Sequence, residues 1–360
     1  MRQQKLSGYA EIVLCGPPFS AYEGSSGDGD VNIYRACVGN AAGDATKITN
    51  YNNGGATTDQ MSNPVLSPDG LKIAFEQWNA SSGFAEIWVV SRTPGSTASS
   101  VVVDGSHHCR TPQWASDSDT ILYTRGGTGE GGAIETISVS SGSPTVLKTP
   151  EAGFSFWRPS FNFDDSRIAY WNSKDVGNDT AEGPWIMDAD GSNAAQAHAS
   201  LNYLVDGSQH AWARASDVLA YTDGTSVWKI NGDGTSETQI NSNGAIAGLP
   251  VRLSFAAWAA ADAFIVATGS NGSQWRLHRI ETDGSTSSLL NTTHGAMNQG
   301  SLKQAFVFSS RVWFIETGSS NNGGKIGSTA MDGSDYRVDL DVNLSTILDW
   351  LGGGAGFEWH

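Results

Sequence analysis

Cysteine is scarce in this chain: 360 residues carry only three, an odd number with no paired spacing, and all three read as free thiols. Lysine is scarce as well. Eight lysines stand against a net charge of −16 and an isoelectric point near 4.7. An acidic surface without a basic stripe repels phosphate backbones, which argues against a nucleic-acid partner. Long hydrophobic runs are missing too. The longest apolar stretch, 255–267, is too short to span a bilayer and is interrupted by Asp262, so no membrane insertion is expected. The opening Met1-Arg-Gln-Gln-Lys5 is charged, but the residues after it never form the apolar core of a secretion signal. Three expectations follow: a removed signal, export by another route, or retention in the cell. Also absent are a Gly-x-Ser-x-Gly nucleophile elbow and any clustered histidine motif, the seven histidines being scattered. No catalysis, metal or cofactor is therefore expected.

What is present is a repeat. A bulky apolar residue is followed seven positions later by another, across a turn of Asp, Ser and Gly, at Leu66/Ile73, Trp114/Ile121, Phe161/Ile168, Trp212/Leu219, Trp258/Ile265 and Phe306/Trp313. Consecutive copies lie roughly 45 to 50 residues apart, the period of a blade and not of a single-core domain. Each copy contains four short β-rich runs, called here a, b, c and d. The third often carries tryptophan (Trp88, Trp185, Trp228, Trp275), and a Gly turn such as Asp190-Gly-Ser192 leads into the fourth. Asp-Gly suits such hairpins because glycine accepts positive φ without steric penalty.

The expected fold is all-β: one domain over 1–360, a seven-bladed β-propeller of four-stranded antiparallel blades, with an open or six-bladed array with a loose N-terminus as the alternative. Six blades start near 63, 111, 158, 209, 251 and 304. The remaining blade combines 9–49, which supply strands b (10–15), c (30–35) and d (44–49), with 356–360, where Trp359 takes the place held by Trp114 and Trp212. Joining the C-terminal strand to the N-terminal blade closes the ring and leaves no open sheet edge at the chain ends. Within the first blade Cys15 is expected at the end of b and Cys37 at the end of c. Those positions are opposite ends of one hairpin, too far apart for a disulfide.

The run Pro64-x-Leu-Ser-Pro-Asp-Gly-x-x-Ile-Ala-Phe75, followed by Asp-Gly-Ser turns, resembles the TolB-type, WD-like propeller repeat. The segment from Arg158 to Tyr170 is the next best match, and the Trp212 and Phe306 copies keep only the spacing. The resemblance implies a propeller along nearly the whole chain. Nothing corresponds to the α/β domain that precedes the propeller in TolB, and propellers host binding and catalysis alike. Another propeller class, the oligogalacturonate lyases, builds a metal site from several histidines on one face.

Blade topology places the a–b and c–d turns on one face and the b–c and d–a connections on the other. The former are short and nearly uniform. The latter vary, with long segments at 50–62, 150–157, 172–183 and 343–355, and such variation marks the binding surface of a repeat protein. Candidate partner-binding residues on that face are the aromatics Phe154, Phe156, Trp157, Tyr51, Tyr203 and Trp78, with the adjacent His107 and His108. Adjacent residues of an extended chain point to opposite sides, so a metal pair would need different spacing or partners from other loops, and two partly exposed loop histidines are the expected reading. Asp28-Gly-Asp-Val-Asn32 starts like a calcium loop but has Gly39 where the closing Glu belongs. Asp188-Ala-Asp-Gly-Ser192 and Asn231-Gly-Asp-Gly-Thr235 read as hairpin turns first and as calcium candidates second. The composition fits a non-catalytic interaction module for a protein or glycan, on a phage virion or another extracellular assembly. A periplasmic TolB-like scaffold and a propeller enzyme are the alternatives.

Overall fold

A computed structural model describes residues 15–22, 31–37, 46–50, 61–127, 131–174, 181–198, 210–213, 216–222, 226–240, 251–260, 263–268, 276–281, 286–288, 302–308, 311–317, 324–330, 334 and 337–342. Its strands fall into seven antiparallel sheets in chain order. The first has three strands, β1 (Cys15–Tyr22), β2 (Val31–Cys37) and β3 (Thr46–Lys47). The second comprises β4 (Met61–Leu66), β5 (Lys72–Asn79), β6 (Phe84–Ser91) and β7 (Ser99–Val102). The third comprises β8 (His108–Trp114), β9 (Thr120–Gly126), β10 (Ala133–Ser138) and β11 (Pro144–Lys148). β12 (Phe154–Phe161), β13 (Arg167–Lys174), β14 (Gly183–Asp188) and β15 (Ala195–Gln196) form the fourth. β16 (His210–Trp212), β17 (Val218–Thr222), β18 (Val227–Asn231) and β19 (Thr238–Gln239) form the fifth. The sixth holds β20 (Val251–Ala260), β21 (Ala263–Thr268), β22 (Arg276–Glu281) and β23 (Thr286–Ser288). The seventh holds β24 (Leu302–Phe308), β25 (Arg311–Thr317), β26 (Gly324–Ala330) and β27 (Arg337–Val342).

The seven-residue spacing has a direct meaning in this register. Leu66/Ile73, Trp114/Ile121, Phe161/Ile168, Trp212/Leu219 and Phe306/Trp313 are cross-strand partners of the first and second strands of their sheets. Trp258 departs from the pattern. It pairs with Phe264 because β20 is irregular on both sides of it.

Neighbouring sheets pack face to face, and the core lies between them. Ile33 and Ile48 of the first sheet meet Met61, Ile73, Phe75 and Val90 of the second. Ile87 and Val102 then meet Cys109, Trp114 and Tyr123. Leu122 and Ile134 meet Phe156, Tyr170 and Met187, and Ala169 and Ile186 meet Trp212, Leu219 and Tyr221. Because each sheet must bury both faces, alternate residues of one strand serve two different clusters: Ile121 and Tyr123 face back while Leu122 faces forward. First strands of successive sheets lie side by side, and β27 of the last sheet touches β2 of the first.

Two local devices recur. The first strands of the second, third and fourth sheets bulge at Asn63, Thr111 and Arg158, which hold φ of 48, 55 and 53° and precede Pro64, Pro112 and Pro159. Proline is tolerated there because the strand is an edge that lacks an outer partner for its N–H. Tryptophan on the first strand also donates back to the preceding sheet. Trp114 Nε1 reaches Val65 O at 3.1 Å, and Trp212 Nε1 reaches Ser160 O at 3.0 Å.

The N-terminal strand differs from expectation. β1 is described over Cys15–Tyr22, residues 10–14 of the expected strand lying outside the described residues, and its Cys15 is the Cα partner of Cys37. The described strand runs past the expected end at Cys15 through the Pro-containing 15–22, accommodated by a register shift between Cys15 and Pro18. The two cysteines therefore share a register position and are not at opposite ends.

Candidate functional site

The uniform turns bind to one another around their face. Asp69 N donates to Ser118 Oγ at 3.0 Å, and Lys72 Nζ to Ser118 O at 3.1 Å. Ser116 donates through N and Oγ to Asp165 Oδ2 at 2.8 and 2.6 Å. Asn162 Nδ2 reaches Asp217 Oδ1 at 3.0 Å, and Arg167 Nε lies 3.0 Å from Asp217 Oδ2. The second through fifth sheets are thus linked turn to turn. Within the turns, hydroxyl and backbone donors hold carboxyls below their usual range: Ser67 and Leu71 N on Asp69, and Ser166 on Asp164.

The opposite face is built differently. His108, at the start of β8, is buried beneath the β5–β6 hairpin. Its ring stacks on Trp78 at 5.3 Å and meets the edge of Phe84 at 5.1 Å. Ala85 N donates to His108 Nδ1 at 3.0 Å, which places the neutral ring's proton on Nε2. Burial, with Arg110 nearby, lowers the His108 pKa. His107 turns the other way: its Nδ1 lies 3.1 Å from Asp104 Oδ2 and 3.1 Å from Arg125 Nη2. Burial pushes the Asp104 carboxyl up, but Ser106 N–H, Arg125 and His107 outweigh it and hold the group below its ordinary value. Below this cluster Cys109 is buried and its thiol is pushed up to about 12, too high for a reactive thiolate.

Phe154, Phe156 and Trp157 are not loop residues. All three lie on β12. Phe156 is 4% exposed and packs edge-on against Tyr170 at 4.9 Å, so it belongs to the core and not to a binding surface. Its backbone also forms a bridge to Gly132, with N–H···O distances of 3.2 and 3.0 Å, that stitches the β9–β10 hairpin to β12. Trp157 lies against this hairpin. A Cβ on Gly131 would fall 2.7 Å from the indole Nε1, and only glycine leaves that space. Trp157 and its cross-strand partner Trp171 each hold a buried indole N–H with no acceptor among the described residues. Phe154 is half-buried, with Lys174 Nζ 6.0 Å from its ring centre. Tyr51 and Tyr203 lie outside the described residues.

Several polar groups escaped sequence reasoning. Glu76, 1% exposed, accepts from Asn63 Nδ2 and Thr111 N, both at 2.6 Å, and from Ser62 Oγ at 3.3 Å, tying the bulges of two sheets together. His198 and Tyr221 share the Glu237 carboxylate, with Trp228 against the His198 ring. A charged residue inside an apolar strand pattern was the only available signal for Glu76; the His198 group draws on two sheets and has none. Among the described residues no three His, Cys, Asp or Glu are grouped to hold a metal ion.

No protein-family profile matches the sequence, and no curated protein matches it. Solved structures do. An oligogalacturonate lyase in complex with manganese superposes with a TM-score of 0.61 at 12% identity, covering 91% of this chain and 86% of that one. TolB from Acinetobacter baumannii gives a TM-score of 0.51 at 12% identity, over 92% of this chain and 65% of TolB. Prolyl oligopeptidase B from Galerina marginata gives 0.61 at 12% identity, over 93% of this chain and 52% of the peptidase. This chain thus spans about two-thirds of TolB and about half of the peptidase. At these identities the likeness is one of fold, that of the TolB-type β-propeller.

Proposed function

We propose that this chain is a non-catalytic interaction module whose b–c and d–a face takes a protein partner, a glycan being the alternative ligand. The contrast between the two faces carries the reading. On one, the a–b turns spend their donors and acceptors on each other. On the other, the strands next to connections of unequal length carry the half-buried rings of Trp78, Phe84, Phe154 and Trp157, and blade topology puts the Asp104–Arg125 pair on the same face. Aromatic and arginine side chains at the centre of a polar face are what recognition surfaces use. The scaffold in this reading is a seven-bladed ring closed by 356–360 beside β1. Low lysine and acidic charge support carriage on a virion or other extracellular assembly, with a periplasmic TolB-like scaffold as the alternative placement.

Phe154→Ala tests the face. The variant should stay folded at the assay temperature yet bind its partner or particle more weakly by about 2 kcal/mol if Phe154 is an anchor. Hydroxyl-radical footprinting of the bound state supplies the spatial check. Protection confined to turns such as Asp190-Gly-Ser192 would overturn the choice of face.

The near full-length correspondence with the manganese-bound lyase favours a second reading, a propeller lyase. Incubation with manganese and oligogalacturonate, monitored for the unsaturated elimination product, separates the two.

A further inference from the structure

The pairing of β1 with β2 sets Cys15 directly opposite Cys37. Directly opposed residues of an antiparallel pair have Cα atoms about 4.5 or 5.5 Å apart, depending on whether the pair is hydrogen-bonded. Both values fall within the span of about 4.4–6.8 Å that a disulfide bridges. The remaining cysteine, Cys109, is buried in the cluster between the second and third sheets. Its raised pKa withholds it from exchange. The chain therefore contains one pair of cysteines at a bridging register position and one inert thiol.

We propose that Cys15 and Cys37 form an intrachain disulfide under oxidising conditions, clamping the β1–β2 hairpin of the three-stranded sheet. With a glutathione-type disulfide as oxidant, one cysteine thiolate attacks a glutathione sulfur and expels glutathione thiolate. The second cysteine thiolate then attacks the mixed disulfide and expels the other glutathione. Two thiols lose two protons and two electrons; the oxidant takes up both and becomes two glutathiones. The clamp matters at this position because the first sheet has only three strands among the described residues, and a covalent link between β1 and β2 holds its hairpin in register.

The experiment equilibrates the folded full chain with oxidised glutathione, blocks free thiols, and maps peptides without reduction. The expected result is an intact mass lower by about 2 Da through loss of two hydrogens, a Cys15 peptide linked to a Cys37 peptide within one monomer, and Cys109 recovered as a free thiol. Dithiothreitol should reverse the change. In C15S or C37S the surviving cysteine should carry glutathione or remain free, with no internal link. Two free thiols or two separate glutathione adducts at positions 15 and 37 in the parent protein overturn the proposal. So does a link that forms only between molecules, or one that involves Cys109.

Discussion

The ring of His108 stacks on Trp78 at 5.3 Å while its Nδ1 accepts the Ala85 N–H, so one side chain joins two sheets by both stacking and a hydrogen bond. An imidazole held this way is favoured neutral, because a protonated Nδ1 could not accept. The sign of the pH effect follows. The folded pKa lies below the ordinary 6.5 and burial is the leading cause, with the Arg110 charge second. Between the two values the unfolded chain binds more protons, so this contribution is fully present above about pH 6.5 and is lost as pH falls toward the folded pKa. Melting curves from pH 7.5 to 5 should show a decline that His108→Gln reduces. An unchanged slope in the variant would show that other groups carry the acid sensitivity.

Phe156 and Phe154 stand two residues apart on β12 and should separate cleanly. Phe156→Ala empties a position between two sheets and should cost about 3–5 kcal/mol. Phe154→Ala removes a half-buried ring whose charged neighbour is Lys174, and should cost well under half as much. Chemical denaturation of both variants measures the difference. Similar losses would place Phe154 in the core as well and remove it from the proposed face.

The strands were legible because cross-strand pairing across a short turn has a fixed sequence spacing, and five of the six apolar pairs are direct partners. The continuation of β1 past Cys15 was missed because Pro17 and Pro18 read as a strand end, whereas a bulged strand tolerates them. Phe154-Ser-Phe-Trp157 followed Pro150 and Gly153, and those turn residues masked a strand start. The site contacts were beyond reach for a different reason. Trp78 with His108, Glu76 with Thr111 and Gly132 with Phe156 join adjacent sheets, and no spacing rule links one blade's loop to the next blade's strand.

The indole devices permit a matched comparison. Trp212→Phe removes ring volume and also strips Ser160 O of its 3.0 Å donor. Trp171→Phe removes similar volume from another buried position, but its N–H has no acceptor among the described residues. The first substitution should therefore cost more, by about 1 kcal/mol, the net worth of a buried hydrogen bond. Equal losses would mean that the Trp212 bond adds nothing beyond packing.

In the fourth-sheet turn Asp165 combines strain with a useful side chain. Its φ of 58° lies in the left-handed region, where the equivalent second-sheet residue is Gly70 at 70°. Its carboxylate also receives both Ser116 donors from the neighbouring turn. Asp165→Ala loses the acceptor and keeps the strain; Asp165→Gly loses the acceptor and relieves it. The glycine variant should be the more stable of the two by about 1 kcal/mol. Thermal melts of the pair decide the point, and an alanine variant that matches the glycine one would show that the turn relaxes out of the left-handed region.

Ring closure is the remaining test. The first sheet has only three strands among the described residues, β2 touches β27 of the last sheet, and the sequence supplies a matching Phe357-Glu-Trp359 segment. If that segment completes the first sheet, burying Trp359 between blades contributes a few kcal/mol at ~25 cal/mol per Å² of apolar area. Deleting 356–360 then uncovers β1 as an open edge, able to pair with another molecule. The truncated protein should melt well below the parent and should dimerise or aggregate in sedimentation experiments. Trp359→Ala should reproduce the loss of stability with less association, because the backbone of the closing strand survives. A truncated chain that keeps the parent's melting temperature and stays monomeric leaves no role for the C-terminal segment in closing the ring.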